Sequence, residues 1–161
     1  MTRTASAAST VDLISASVIQ GGLQSIAVEM GYKLMRMSCS SIIRESEDFW
    51  AAPTDAQGRR IAESMQSTPL QSGPVAGYAQ NVLKVMAERG ETIEPGDVIM
   101  HDDPYGGASH GPDFAFLSPV FRDGALMAFA CTTAHHRDVG AQTPGSMVSP
   151  RSAMTFRTFC A

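Results

Sequence analysis

Two long apolar runs, 114–121 and 125–133, are separated only by Arg122-Asp123-Gly124, and this pair limits the possible folds more than any other feature of the chain. Both runs are apolar at odd and even positions alike, whereas a strand with one wet face alternates. The hairpin is therefore expected to be central in its sheet and not an edge. A three-residue loop with Gly124 left-handed pairs Phe121 with Ala125, which sets His110 opposite His136 and Asp113 opposite Thr133. A two-residue Asp123-Gly124 turn instead sets His136 opposite Gly111. In either register the His110-x-x-Asp113 segment meets the His135-His136 pair at one end of the hairpin. Directly opposed Cβ atoms are about 4.5–5.5 Å apart, close enough for their side chains to share one metal ion.

The rest of the pattern predicts α+β. Leu13, Ile14, Val18, Ile19, Leu23, Ile26, Ala27 and Met30 keep a three-four spacing that continues to Met37, giving one long amphipathic helix near 11–38 with Thr10 as its cap. Gly21-Gly22 interrupts it. Phe49–Ala52 and Arg60-Ile61-Ala62 flank a turn-like Thr54-Asp55-Ala56-Gln57-Gly58 and read as a hairpin. A second amphipathic helix is expected over 74–88, with Ser72 as cap, Tyr78 and Val82 inside and Gly90 as its stop. Glu94-Pro95-Gly96-Asp97 is a turn into the short strand Val98-Ile99-Met100, and 101–113 reads as loop. From Gly140 onward no periodicity is visible. The expected architecture is a single domain over 1–161, with two helices and β-hairpins forming a mainly antiparallel sheet.

Composition removes several function classes. Net charge is −4 with no basic stripe, which argues against nucleic acid as a partner. No apolar run approaches the ~20 residues of a membrane span, and the start, MTRTASAASTVD, has no apolar secretory core. Three scattered cysteines, Cys39, Cys131 and Cys160, without a CxxC, suit a reducing, cytoplasmic setting. Only 17% of the residues are charged, against about 25% in ordinary soluble domains. Together with ten methionines, that shortfall suggests surface meant to be covered by something else.

Two imidazoles with carboxylates make a mixed nitrogen and oxygen donor set suited to Zn²⁺, Mn²⁺ or Fe²⁺. Neighbours in an extended chain point to opposite faces, so only one of His135 and His136 is expected to ligate, and His136 is the one chosen. His135 then falls in a supporting shell or the core. A purely structural reading stands beside this one: Asp102-Asp103-Pro104 as a turn, Gly106-Gly107 as loop flexibility, and the histidines as satisfied core groups. Cys131 lies in the apolar run 128–131 and reads as core. Ser109-His110 has no identifiable acid to orient the histidine. Gly73-Pro74-Val75-Ala76-Gly77 lacks the lysine and the preceding strand of a phosphate loop, so no nucleotide-binding residue is assigned.

A family resemblance lies in an ordered set of motifs. They are Asp103-Pro104-Tyr105-x-Gly107-x-x-His110-x-Pro112-Asp113, Ser118-Pro119-Val120-Phe121-x-Asp123-Gly124, Ala134-His135-His136-x-Asp138-Val139-Gly140, and Thr143-Pro144-Gly145-Ser146-Met147. Upstream stand Ser25-Ile26-Ala27-x-Glu29-Met30-Gly31, Glu47-Asp48-Phe49, Asp55-Ala56-x-Gly58-Arg59 and Pro95-Gly96-Asp97-Val98. As a set they resemble the hydantoinase B/oxoprolinase family, in its N-terminal portion, to about Pro150.

The resemblance implies a subunit of an ATP-dependent enzyme that hydrolyses cyclic amides. It implies that ATP is held on a separate hydantoinase A-type subunit and not on this chain. It implies a divalent metal (Zn, Mn or Fe) on His110, Asp113 and His136, with Asp48 as a further ligand on the resemblance alone. His135, Asp103, Tyr105 and Asp138 would support the site, and no catalytic residue is assigned. Related members act as ATP-dependent ketone carboxylases of the acetone and acetophenone type, which is the alternative reading; a non-catalytic assembly protein is the third. B-type subunits of the family are several times longer, and 148–161 departs from their continuation. A truncated, frameshifted or split product, inactive alone, is therefore the expectation. His101-Asp102 also replaces the asparagine that usually precedes Asp-Pro-Tyr.

Overall fold

The computed structural model describes residues 12–66, 68, 71, 75–139 and 156–159, so Thr10 and Ser72, expected as helix caps, lie outside the described residues. Helix α1 runs Leu13–Met37 and starts at Asp12, whose Oδ1 accepts from the Ile14 and Ser15 N–H groups at 3.0 and 2.9 Å. That cap satisfies two of the four orphan amides of the first turn. A short helix α2, Ser41–Arg44, leads to strand β1, Phe49–Asp55. Helix α3, Val75–Glu88, ends where expected: Gly90 is left-handed (φ 67°), Gly90 N–H bonds to Ala87 C=O, and Glu91 N–H bonds to Met86 C=O at 2.9 Å. This is the double bond pattern of a Schellman stop. Strands β2 (Asp97–His101), β3 (Asp113–Arg122), β4 (Ala125–His135) and β5 (Phe156–Phe159) follow.

The five strands form one antiparallel sheet in the order β1-β4-β3-β2-β5, so the β3–β4 hairpin is central and not an edge, as expected, although Phe116, Val120 and Met127 on it remain exposed. The expected first hairpin forms only a short ladder. β1 pairs along its length with β4, while the chain after the turn meets it at the Thr54↔Arg60 bridge and through the bonds Asp55 N–H to Arg59 O, Ile61 N–H to Pro53 O and Ser64 N–H to Ala51 O. The segment read as an atypical tail supplies β5, which pairs with β2.

One face of the sheet carries the main core: Trp50, Ile99, Leu117 and Phe129 pack with Tyr78, Val82 and Met86 of α3. On the other face Phe49 and Ala134 pack with Ile43 of α2 and with Leu34 and Met35 of α1. The amphipathic reading of α1 holds for only part of it. Ala27 and Gly31 are its buried residues, while Leu13, Ile14, Val18 and Ile19 on the apolar stripe are more than half exposed. Polar side chains fasten its middle instead, with Gln20 and Gln24 donating to the Ile61 and Glu63 carbonyls at 3.2 and 2.7 Å. No described helix is long and apolar enough to cross a membrane.

The hairpin register determines which side chains meet. Asp123 (φ 51°) and Gly124 (φ 77°) are both left-handed, the requirement of a tight two-residue type I′ turn, and Arg122 pairs with Ala125. Between Val120 and Phe121 the register slips by one residue, so that Phe121 pairs with Leu126 but Val120 with Ala128. From there to the far end Asp113 is opposite His135, not Thr133. A single bulge residue thus corrects both sequence-derived registers.

Candidate metal centre

Asp113 opens β3 with its side chain fully buried on the α3 face, and the bulge places His135 directly across from it. His110 is not in the ladder. The Asp113 N–H bonds to the His110 carbonyl at 3.0 Å, a tight turn through Gly111 and Pro112 that folds His110 back beside Asp113. His136, on the opposite pleat face, packs its ring edge-on against Phe114 at 4.7 Å, while its N–H bonds to the Pro112 carbonyl. The structure therefore brings His110, Asp113 and His135 together and leaves His136 on the α1 side, beside Leu34, Met37 and Phe116. Burial, then the neighbouring His135, lowers the pKa of His136 and favours its neutral ring.

The geometry of the triad is close. His110 Nδ1 lies 3.0 Å from Asp113 Oδ2, and His135 Nδ1 lies 3.2 Å from Asp113 Oδ1. The two imidazoles meet edge-on with centroids 4.8 Å apart. One ligand atom from each of the three lies within 4.8 Å of the others. Asp48 stands next to them because the His135 N–H continues the β1–β4 ladder to the Asp48 carbonyl at 3.0 Å; its Oδ2 is 3.9 Å from His135 Nδ1.

His110 Nδ1 and Asp113 Oδ2 are both buried and, although 3.0 Å apart, are not aligned as a hydrogen bond. Buried polar atoms in that state are costly unless a third atom satisfies both lone pairs. Tetrahedral ligands at about 2.0–2.1 Å from one ion lie about 3.3 Å from each other, so the spacing and the unaligned lone pairs fit a divalent transition metal.

Two residues with no motif of their own complete the surroundings. Gln71, almost fully buried, directs Nε2 at Asp48 Oδ1 (3.0 Å) and Asp113 Oδ1 (3.1 Å). Tyr78 of α3 accepts from the Ser109 N–H at 3.3 Å. Burial, and then the Asp113 charge, push its hydroxyl up to about 12, so it stays protonated.

The other expected supporting residues lie elsewhere. Asp103 caps the 3-10 turn Pro104–Gly106 by accepting the Tyr105 N–H at 2.9 Å; the Tyr105 side chain is fully exposed, and Asp138 is exposed. Gly106-Gly107 is a close approach and not mere flexibility. A Cβ on Gly106 would come within 2.6 Å of Asn81 Nδ2, and one on Gly107 within 3.2 Å of the Gly77 backbone. The glycines thus let the His110 loop lie on α3.

Comparison with known proteins gives a consistent picture. A family model for hydantoinase B/oxoprolinase matches residues 12–155. The B-type subunit of a putative D-/L-hydantoinase from Pseudomonas sp. (strain NS671) is 55% identical over 136 residues, covering 84% of this chain and 23% of that protein. The 5-oxoprolinase 1 of Arabidopsis thaliana is 35% identical over 136 residues, covering 84% of this chain and 10% of that protein. Among solved structures, the ATP-dependent caprolactamase from Pseudomonas jessenii superposes with a TM-score of 0.78 at 26% identity, over 93% of this chain and 27% of that one. Nucleotide-free acetone carboxylase shares the fold, with a TM-score of 0.73 at 19% identity over 81% of this chain and 17% of that one. The chain thus spans about a quarter or less of the length of these relatives.

Proposed function

The chain belongs to the hydantoinase B/oxoprolinase family, and from that membership we propose that it forms the metal-binding portion of an ATP-dependent enzyme that hydrolyses cyclic amides. The observation that carries the reading is the meeting of His110, Asp113 and His135 around misaligned, buried lone pairs. His110 and His135 would each supply Nδ1, Asp113 a carboxylate oxygen, and Asp48 the adjacent one. A divalent ion held there would supply Lewis acidity toward a substrate carbonyl or toward the attacking water. The chain's own residues keep these donors fixed: the tight turn at Gly111-Pro112 holds His110, and the β3–β4 ladder holds His135. Tyr78 presents a neutral hydroxyl on the α3 side.

The amide reading rests on named relatives, a hydantoinase, 5-oxoprolinases and a caprolactamase, which share a cyclic amide as their chemistry. ATP would be held on an A-type partner in the cytoplasm. The test has two parts. Purified chain dialysed against Zn²⁺ or Mn²⁺ is expected to retain near-stoichiometric metal, and Asp113→Asn and His135→Ala to lose it, while His136→Ala keeps it. Metal retained equally by wild type, Asp113→Asn and His135→Ala would refute the site. With an A-type partner present, ATP turnover is expected to rise on adding a hydantoin or 5-oxoproline; a rise only with bicarbonate and a ketone would assign carboxylation instead.

A further inference from the structure

The amide of Gln71 sits between two carboxylates on elements far apart in sequence, and nothing in the motif pattern of the chain marks it. Its Nε2 is 3.0 Å from Asp48 Oδ1 and 3.1 Å from Asp113 Oδ1. Carboxylate oxygens only accept, so the NH₂ end must face them; the opposite amide orientation would set three acceptors together. One NH₂ carries two N–H donors, enough for one bond to each carboxylate. Two anionic groups this close repel, and a neutral donor shared between them offsets part of that cost without adding charge.

The consequence is geometric. With Gln71 bonded to each Oδ1, each Oδ2 faces a histidine, while Asp113 Oδ1 also keeps His135 Nδ1 at 3.2 Å. Asp113 Oδ2 lies 3.0 Å from His110 Nδ1, and Asp48 Oδ2 lies 3.9 Å from His135 Nδ1. The backbone around Gln71 supports the same arrangement. Its N–H bonds to the Thr68 carbonyl at 3.0 Å, and the Thr68 hydroxyl is itself 3.4 Å from Asp48 Oδ1. Thr68 and Gln71 therefore bring two donors to the same carboxylate oxygen. At 3% exposure Gln71 is shielded from competing water.

We propose that Gln71 is a positioning residue of the metal centre, clamping Asp48 and Asp113 so that their free oxygens converge with His110 and His135 on one ion. The inference rests on the metal reading above and extends it by naming the side chain that orients its two carboxylates. Loss of a group that orients metal ligands typically weakens metal binding by about 10–100-fold.

The test is Zn²⁺ affinity, measured by chelator competition on the full chain, for wild type, Gln71→Met and Gln71→Asn. Methionine keeps the length without a donor, and asparagine keeps the amide but falls one methylene short. Co²⁺ absorption spectra report the ligand set, and far-UV circular dichroism of the metal-free proteins reports folding. The expected result is an affinity for Zn²⁺ about 10–100-fold weaker in each folded variant, with a changed Co²⁺ spectrum. Unchanged affinity in whichever variant folds would overturn the positioning role and leave the metal site standing. Weaker affinity with an unchanged Co²⁺ spectrum would overturn it too, because the ligand set would be intact. If wild type itself bound neither ion, the metal reading would fall, and this inference with it.

Discussion

Gly31 is where α1 is seated on the sheet, and Gly31→Ala tests whether that contact is as close as it looks. A Cβ built on Gly31 lies 2.7 Å from Ser64 Oγ, 2.9 Å from Ser64 Cβ and 3.4 Å from Phe49 Cε2, so the new methyl must displace Ser64 or lift the helix by several tenths of an ångström. Overpacking of this kind costs about 1–3 kcal/mol. Alanine also gains about 1 kcal/mol of helix propensity over glycine, which would mask part of the clash in a single measurement. Gly22 supplies the control, because it lies in the same helix and a Cβ there meets nothing within 4 Å. Propensity cancels in the difference, so Gly31→Ala is expected to be about 1–3 kcal/mol less stable than Gly22→Ala. In a chain this size that separates the thermal midpoints by roughly 3–10 °C. Urea unfolding followed by circular dichroism gives the difference directly. Coupling with Ser64→Gly, which removes the obstructing side chain, should recover most of the clash in a double-mutant cycle. If Gly31→Ala and Gly22→Ala are equally stable, α1 is not seated at Gly31, and its exposed N-terminal half would have to be reconsidered with it.

Other outcomes follow from single residues. Burial lowers the pKa of His101 below its ordinary 6.5, against the opposing pull of Asp103 and Asp102. The unfolded chain therefore takes up that proton first, so the contribution is intact above pH 6.5 and is lost as pH falls toward the depressed folded value. The drop in urea midpoint from pH 7.5 to 5 should accordingly be smaller in His101→Gln, and parallel pH profiles would reject the assignment. Cys131 is buried and its thiol is pushed up to about 12, so in a Cys39→Ser, Cys160→Ser background a thiol reagent should react only after denaturation; prompt native labelling would contradict the buried position. Gly124→Ala places a Cβ in the left-handed second position of the hairpin turn and should cost about 1–2 kcal/mol, whereas Asp123→Gly should be nearly neutral, both read from urea midpoints.

Local physics made much of this protein legible without its structure. Helix ends at Gly90 and near Met37, the turn at Gly96, the central place of a hairpin apolar on both faces, and the meeting of His110, Asp113 and a histidine pair all follow from backbone preferences and from the alternation of side chains along strands. That His135 and His136 cannot share a site is also a property of an extended chain. Which of them joins Asp113 was decided by the tertiary structure. The slip at Val120/Phe121 inverts the pleat relation between the strands, and nothing in an apolar run says where a ladder will absorb one extra residue. Partner strands are equally illegible: β1 joins β4 and not its sequence neighbour, and β5 comes from a stretch without periodicity. Gln71 escapes a reading of the sequence because a lone glutamine in a Ser-, Pro- and Gly-rich stretch has no local signature. Its role exists only once Asp48 and Asp113, separated by two strands and a helix, are brought to opposite sides of one amide. Residue types and spacing are local and therefore written in the chain, whereas register, strand partners and shared hydrogen bonds depend on long-range contacts that only the folded arrangement determines.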